Sequence, residues 1–209
     1  MLKIGVLVSG NGSNLQSLLD NIDIGNIDGE VCVVISDRCG AYGLERAQKH
    51  GIPTFSFDKS KYSNEEINKK ILKLLKDMDI SLVVLAGFLS ILSSEIIREY
   101  KNAIINIHPS LIPSFCGPGF YGIKVHESAI KYGVKVSGCT VHFVDEGTDT
   151  GPIILQSAVK VLDYDTPECL QKRILEQEHI LLPKAVKLIC EGRVIVSGRN
   201  VYIEEEKND

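Results

Sequence analysis

The first half of the chain alternates short apolar segments with amphipathic ones, and this alternation constrains the fold more than any other feature. The apolar segments are nearly continuous, which is typical of strands buried on both faces. Segments with helical spacing separate them, as parallel strands require. The pattern predicts a doubly wound α/β fold, with a mainly parallel sheet and helices on both faces. The predicted strands are residues 2–8, 31–35, 53–57, 81–86 and 103–105.

After Pro109 the alternation ends. Two long β segments follow each other there without a helix between them, so we predict an antiparallel extension of the sheet in the C-terminal half. We see no linker and predict a single domain over residues 1–209. The predicted elements are a Gly/Pro-rich loop at 114–122, a helix at 125–131, strands at 135–144 and 152–161, a helix from 166 to about 190, a hairpin over 194–203 and a charged tail from 204.

Composition excludes several classes of protein. A net charge of −4, without a run of Lys or Arg, gives no footprint for nucleic acid or an anionic membrane. No apolar stretch approaches the roughly 20 residues of a membrane span, and no signal peptide is evident, so we expect a soluble cytoplasmic protein. The cysteines show no C-x-x-C spacing and the histidines no ligand spacing, so we predict no metal. They are Cys32, Cys39, Cys116, Cys139, Cys169, Cys190, His50, His108, His126, His142 and His179.

A Gly-rich turn, Ser9–Asn14, joins the first strand to the first helix. Glycines allow close approach of a ligand to the backbone, and the first N–H groups of a helix attract anions. The turn lacks both G-x-G-x-x-G and a P-loop Lys, so a monophosphate fits better than a dinucleotide or a triphosphate. Two simpler interpretations stay open: the glycines serve turn geometry alone, and Ser13 or Asn14 caps the helix.

Asn106 and His108 leave the last strand of the first half together, and prolines keep the exit extended. Ligands of parallel sheets bind at this edge. A carboxylate such as Asp149 would raise the pKa of His108 and orient its ring. With no G-x-S-x-G motif, the chemistry would be direct attack of a substrate amine on a carbonyl. The alternatives are a buried histidine held by a backbone carbonyl, and an Asp149 that belongs to a simple turn.

Four stretches, in this order, give a family resemblance. The chain resembles the phosphoribosylglycinamide formyltransferases of the folate-dependent formyltransferase group from Met1 to about Arg193. This resemblance implies transfer of a formyl group from 10-formyltetrahydrofolate to the amine of glycinamide ribonucleotide in de novo purine biosynthesis. The stretches are Ser9–Asn14 (SGNGSN), Leu85–Phe88 (LAGF), Asn106–Leu111 (NIHPSL) and Gly138–Gly151 (GCTVHFVDEGTDTG).

Carried over residue by residue, the resemblance implies roles at three places. Asn106 and His108 would hold the developing oxyanion, with Asp149 as the partner of His108. It also implies a phosphate-binding half at 1–105, a catalytic and folate-binding half at 106–209, small-molecule partners alone, and a monomer or weak homodimer. The implied ribonucleotide contacts are Gly12, Ser13, Asn14, Pro109 and Glu178, and the implied folate contacts are Phe88, Leu89, Ile91, Leu92, Val144 and Asp145.

Two features depart from the family pattern. The segment Cys116–Lys124 is about five residues longer than in short-loop members, an insertion that a flexible loop tolerates at small entropic cost. Ser90 stands where many members have Arg, so any contact of that Arg with the glutamate tail of the folate would be absent or supplied by another residue.

Three other functions compete with this interpretation. A formyltetrahydrofolate hydrolase would use a similar site with water as acceptor, but usually carries an additional N-terminal regulatory domain. A methionyl-tRNA formyltransferase would need a basic surface for RNA, which the acidic balance of this chain argues against. A non-catalytic nucleotide-binding module would use the Gly-rich loop, but gives Asp149 no reason to approach His108.

Overall fold

A computed structural model describes residues 1–205 and divides the chain into two compact units, Met1–Asn106 and a second that begins at Ile107. Seven strands form one sheet in the order β3-β2-β1-β4-β5-β6-β7, and two more form a separate hairpin, β8-β9. The strands are β1 (Leu2–Val8), β2 (Gly29–Ser36), β3 (Thr54–Ser56), β4 (Leu82–Leu85), β5 (Ile104–His108), β6 (Val136–Phe143), β7 (Ile153–Lys160), β8 (Val194–Ser197) and β9 (Asn200–Ile203).

The first unit has the predicted parallel architecture. β1 pairs in parallel with both β2 and β4, β2 pairs with β3, and β4 pairs with β5. The middle of β1 is fully buried, as a strand covered on both faces must be. The doubly wound, mainly parallel fold predicted from the alternation is confirmed. The helices of this unit are α1 (Ser13–Asp23), α2 (Tyr42–Lys49), α3 (Asn64–Asp77) and α4 (Ser94–Glu99).

The second unit carries the predicted antiparallel pair. β6 and β7 pair antiparallel from Val136 opposite Lys160 to His142 opposite Ile153, and β8 and β9 form the predicted small hairpin. Its helices are α5 (Ile123–Tyr132) and α6 (Pro167–Cys190). Thr166 caps α6 and Pro167 follows at the first helical position, where a missing N–H costs nothing.

Two sequence predictions concern the ends and the environment of the chain. The predicted charged tail includes Glu204 and Glu205, while its remaining residues, 206–209, lie outside the described part. Over residues 1–205, no helix combines the length and the apolar character needed to cross a bilayer.

The buried side chain of Asn68 on α3 anchors the segment that follows β4. Its Oδ1 accepts from the N–H of Ser93 at 2.7 Å, and its Nδ2 donates to the carbonyls of Ile91 at 3.2 Å and Asn64 at 2.8 Å. Ile91 and its neighbours are predicted folate contacts. One amide on a packed helix therefore fixes the backbone of a candidate binding segment.

Replacing Asn68 tests this anchor. Asn68→Ala removes the acceptor of the Ser93 N–H and leaves the Ile91 carbonyl only the Nδ2 of Asn64 as donor, at 3.3 Å, so we expect it to lower the free energy of unfolding by about 1–3 kcal/mol in urea denaturation. Lys69→Ala, at the exposed neighbouring position, is the control and should change stability by no more than about 0.5 kcal/mol. Equal effects of the two substitutions would contradict the anchor.

Candidate active site

The loops that follow β1 and β4 are joined at the carboxyl edge of the first unit's sheet. The N–H of Ser9 donates to the carbonyl of Gly87 at 3.1 Å, and the Ser9 hydroxyl accepts from the N–H of Leu89 at 2.8 Å. Ligands of open α/β sheets bind at this edge. Two predicted binding segments, the Gly-rich loop and Phe88–Leu92, therefore leave the sheet side by side.

The Gly-rich loop is shaped by its packing against α2. Gly12 precedes α1 with φ of 72°, and no side chain caps the helix there, so neither Ser13 nor Asn14 is the cap. A Cβ at Gly12 would lie 2.5 Å from the Cα of Gly43, whose N–H donates to the carbonyl of Gly10 at 3.0 Å. The glycine thus serves a close approach, and the start of α1 keeps the partial positive charge that attracts anions.

The predicted folate contacts after β4 divide by burial. Phe88 and Leu92 are buried, whereas Leu89 is 44% exposed and Ile91 is 74% exposed. The first two side chains therefore pack in the core. Leu89 and Ile91 expose apolar surface to solvent in the segment that lies beside the Gly-rich loop. An aromatic ligand would gain contact area there.

Ser90 is bonded to a buried carboxylate. Its hydroxyl donates to Oδ2 of Asp37 at 2.6 Å, and Nζ of Lys59 lies 2.9 Å from the same oxygen. Burial alone would raise the pKa of the fully buried Asp37, but hydrogen bonds from Ser9, Ser90 and Lys59 outweigh it and lower that pKa. The residue that departs from the family pattern therefore takes part in an ionic cluster of the first unit.

The second unit brings His108 and Asp149 together. Nδ1 of His108 lies 3.5 Å from Oδ2 of Asp149, and the two side chains are only 5% and 11% exposed. His108 ends β5, and Asp149 lies in the loop between β6 and β7 with a φ of 57°, a conformation that few residues other than glycine adopt. The sequence spacing did not decide whether Asp149 approaches His108, and the structure shows that it does.

Asp149 has two further partners. Its Oδ2 accepts from the N–H of Gly117 at 2.9 Å, and its Oδ1 lies 3.7 Å from Nε2 of His142. Burial opposes ionisation of Asp149, but His142, His108 and Gly117 together outweigh it and lower the pKa of the carboxyl. The group is therefore an ionised carboxylate at neutral pH.

The other ring nitrogen of His108 faces the loop after β5. Nε2 lies 3.0 Å from the carbonyl oxygen of Phe115, which only accepts, so Nε2 carries the hydrogen. Asp149 raises the pKa of His108, as the sequence predicted, but burial lowers that pKa more than Asp149 and Phe115 raise it, so the net shift is downward. His108 is therefore a neutral imidazole at pH 7, and its ring contacts both the predicted carboxylate and the backbone carbonyl of the alternative interpretation.

The remaining predicted site residues lie near the ends of β5 and β6 or on α6. Asn106 is half-buried in β5, two residues before His108, and Pro109 follows. Glu178 is buried in α6. Val144 and Asp145 are half-buried after β6, and Oδ1 of Asp145 accepts from the hydroxyl of Thr150 at 2.5 Å, which shapes the loop that carries Asp149. The binding and catalytic roles of these residues stay predictions.

Three contacts of the site were not predicted. No contact with Asp149 was predicted for His142, yet it faces Asp149, and its position near the end of the strand that leads into the Asp149 loop was the available signal. The backbone contacts of Phe115 and Gly117 had no sequence signal, because main-chain groups contact a site through loop conformation. Four turn-forming residues there have positive φ: Phe115, Gly117, Gly119 and Gly122.

The chain combines a doubly wound fold with a buried His–Asp pair at the end of a strand, and the comparisons with known proteins assign this combination to a family. A family model described as Formyl transferase matches residues 2–186. A solved glycinamide ribonucleotide transformylase 1 from Symbiobacterium toebii is 46% identical, with a TM-score of 0.93 over 98% of this chain and 95% of that one. The chain belongs to the formyl transferase family, and within it to the phosphoribosylglycinamide formyltransferases.

Two other relatives are longer than this chain, which matches only part of each. A chloroplastic phosphoribosylglycinamide formyltransferase from Arabidopsis thaliana is 39% identical over 194 residues, which cover 92% of this chain and 66% of that protein. A solved formyltetrahydrofolate deformylase from Pseudomonas syringae is 28% identical, with a TM-score of 0.89 over 98% of this chain and 66% of its own. The chain thus spans about two thirds of the length of both.

His126 on α5 gives a pH-dependent prediction. It is 1% exposed, its Nδ1 has no hydrogen-bond partner among residues 1–205, and burial, with a smaller effect of nearby His108, lowers its pKa to about 4. In the unfolded chain a histidine titrates near pH 6.5. As pH falls from about 6.5 to 4, the unfolded state therefore takes up a proton that the folded state does not, and stability decreases.

We expect His126→Gln to remove this part of the pH dependence. The measurement is the free energy of unfolding of wild type and variant at several pH values between 7.5 and 4. The stability advantage of wild type over the variant should shrink as pH falls through this range. Two curves that stay parallel would contradict the assignment of a neutral buried histidine.

Proposed function

We propose that this chain transfers the formyl group of 10-formyltetrahydrofolate to the amine of glycinamide ribonucleotide, giving formylglycinamide ribonucleotide and tetrahydrofolate in purine biosynthesis. The observation that carries this proposal is the buried pair of His108 and Asp149, whose Nδ1 and Oδ2 are 3.5 Å apart at the end of β5. Membership of the family, and similarity to the Symbiobacterium toebii glycinamide ribonucleotide transformylase over nearly the whole length of that protein, support it.

The reaction that we propose is direct transfer between two substrates. The amine nitrogen attacks the formyl carbon, a C–N bond forms, and the carbonyl oxygen gains negative charge in a tetrahedral intermediate. The bond from this carbon to N10 of the folate then breaks, the amine loses a proton and N10 gains one. Hydrogen-bond donors aimed at the developing oxyanion lower the barrier, and we assign this task to the Asn106 amide and His108.

The protonation states in the structure suggest how each residue acts. A neutral His108 with hydrogen on Nε2 is a donor to an oxyanion, although Phe115 holds that hydrogen in the structure. The formyl oxygen would replace the Phe115 carbonyl oxygen. Asp149, ionised and adjacent to Nδ1, would stabilise the positive charge that develops when the ring takes up a proton, and would assist proton movement.

Substrate binding is proposed at the strand exits. The uncapped start of α1, with Gly12, Ser13 and Asn14, would hold the ribose phosphate, and Pro109 and Glu178 would contact the rest of the ribonucleotide. The exposed side chains of Leu89 and Ile91 suit the flat ring of the folate. The proposed folate contacts are Phe88, Leu89, Ile91, Leu92, Val144 and Asp145.

We also propose that the protein needs no metal, binds no nucleic acid and acts in the cytoplasm as a monomer or weak homodimer. The proposed chemistry uses only hydrogen-bond donors and a carboxylate, and the net charge of −4 disfavours a polyanionic partner. Size-exclusion chromatography over a range of concentrations tests the oligomeric state.

One assay separates this proposal from its rivals. The protein is incubated with 10-formyltetrahydrofolate, with and without glycinamide ribonucleotide, while tetrahydrofolate and formylated product are both followed. We expect folate turnover that requires the ribonucleotide, with equal amounts of the two products. Turnover independent of the ribonucleotide would identify a hydrolase, an alternative that similarity to the Pseudomonas syringae deformylase keeps relevant. No turnover in either mixture would identify a binding module.

Asp149→Asn tests the proposed catalytic pair. The substitution keeps the shape of the side chain but removes its charge, so we expect kcat to fall by about 100-fold or more, the lower end for loss of acid–base assistance. Asp163→Asn, at an exposed ion pair with Lys135 in the same unit, is the control and should leave turnover unchanged. Near-normal turnover of Asp149→Asn would end the assigned role.

Ser13→Asp tests the proposed phosphate site. A carboxylate at the first residue of α1 would repel the ribose phosphate, so KM for the ribonucleotide should rise by about tenfold or more while KM for the folate stays constant. Ser17→Asp places the same charge one turn further along α1 and should have a smaller effect. The site would be contradicted by an unchanged KM for the ribonucleotide in Ser13→Asp.

A further inference from the structure

Arg46 on α2 forms hydrogen bonds to the Gly-rich loop and to α1 through all three nitrogens of its guanidinium group. Nε donates to the backbone carbonyl of Asn11 at 2.9 Å, and Nη2 donates to the Asn11 side-chain oxygen at 2.9 Å. Nη1 donates to the side-chain oxygen of Gln16 on α1 at 3.2 Å. All three nitrogens therefore contact either the loop or the first turns of the helix that the loop begins.

The arrangement is geometrically restrictive. The fork that meets both oxygens of Asn11 needs a planar group with donors at fixed angles, which lysine does not have. The ring of Tyr42 packs against the guanidinium carbon at 4.8 Å from its centroid. Arg46 is thus held between an aromatic face and the loop, and it restrains Asn11, the residue directly before Gly12.

The charge of Arg46 is not neutralised by a carboxylate. Among residues 1–205, no Asp or Glu forms an ion pair with it, and its partners on the loop and α1 are neutral oxygens. A positive charge thus stays beside the start of α1, where an anion is already favoured by the helix dipole. Both the restraint and the charge favour a phosphate at this loop.

We propose that Arg46 is a positioning residue for the ribonucleotide phosphate. It fixes the backbone of Asn11 and Gly12 so that the first N–H groups of α1 point at the phosphate, and it acts through its hydrogen bonds to Asn11 and Gln16. The inference rests on the proposed function, since it assumes that the Gly-rich loop binds a phosphate. No motif marks Arg46, because the contact joins residues 35 positions apart.

The experiment compares wild type with Arg46→Met, Arg46→Lys and Lys49→Met. Lys49→Met is the matched control: it removes one positive charge from the same helix, and Nζ of Lys49 also lies 5.6 Å from the Tyr42 ring, but Lys49 has no hydrogen bond to the loop. Circular dichroism and thermal unfolding check the fold of each variant. The measurements are kcat, KM for both substrates, and the Kd of ribose 5-phosphate by calorimetry.

We expect Arg46→Met to raise both KM for the ribonucleotide and Kd for ribose 5-phosphate by about tenfold, a change of about 1.4 kcal/mol. KM for the folate and kcat at saturating ribonucleotide should stay within about twofold of wild type. With the 5′-dephosphorylated ribonucleoside as acceptor, wild type and variant should be equally active. Arg46→Lys should retain only part of the affinity, and Lys49→Met should match wild type.

Several results would overturn the proposal. They are equal effects of Arg46→Met and Lys49→Met, a loss that persists with the dephosphorylated acceptor, and full recovery in Arg46→Lys, which would reduce the role to charge alone. If Arg46→Met does not fold, the comparison of Arg46→Lys with wild type carries the test. If wild type binds ribose 5-phosphate but forms no formylated ribonucleotide, the proposed function fails while the Kd values still decide the role of Arg46.

Discussion

The ionised carboxylate of Asp149, almost wholly removed from water, is the group on which the site of the second unit depends. A buried charge is tolerated in a protein only when donors replace its hydration. Its partners come from three places: the loop after β5 supplies the N–H donor of Gly117, β6 supplies the ring of His142, and the end of β5 supplies the ring of His108. Satisfying one carboxylate therefore fixes the relative positions of two strands and a loop.

The Gly-rich loop of the first unit, Ser9–Asn14, is also held in one conformation by surrounding groups, although fewer of them. Its backbone must stay in a conformation that leaves the start of α1 uncapped, and it is held by close packing of Gly12 on Gly43 and by the hydrogen bonds that Arg46 makes to Asn11. In both units, side chains from outside the loop restrain a segment that would otherwise adopt several conformations. In both units, the candidate site is therefore shaped by residues outside the proposed reacting groups.

Much of the fold follows from sequence patterns because its causes are local. The run of apolar residues in β1 requires burial on both faces, and the uninterrupted β segments around 135–161 allow only an antiparallel pairing. The candidate site was predictable in part. Asn106 and His108 stand at a strand exit that the pattern locates, but the approach of Asp149 depends on a loop whose φ of 57° no spacing rule predicts.

The features of the site that the sequence did not predict depend on how deeply each group is buried and on which groups it contacts. Neither can be read from sequence patterns. The direction of the His108 pKa shift is the clearest case, because the attraction of Asp149 and the cost of desolvation act in opposite senses and desolvation is larger. The contact of Phe115 with His108 is another, since it uses a main-chain carbonyl and is independent of the side chain. Arg46 looks like an ordinary surface arginine on α2 until its partners are seen.

The Phe115 carbonyl has an energetic consequence under the proposed mechanism. When a formyl oxygen replaces it on Nε2 of His108, one neutral carbonyl acceptor is exchanged for another, so this hydrogen bond adds little to the affinity for the ground-state substrate. As the oxygen becomes an oxyanion it turns into a much stronger acceptor than a peptide carbonyl. The exchange is then favourable only in the transition state, so the loop directs the binding energy of His108 towards rate and away from ground-state affinity.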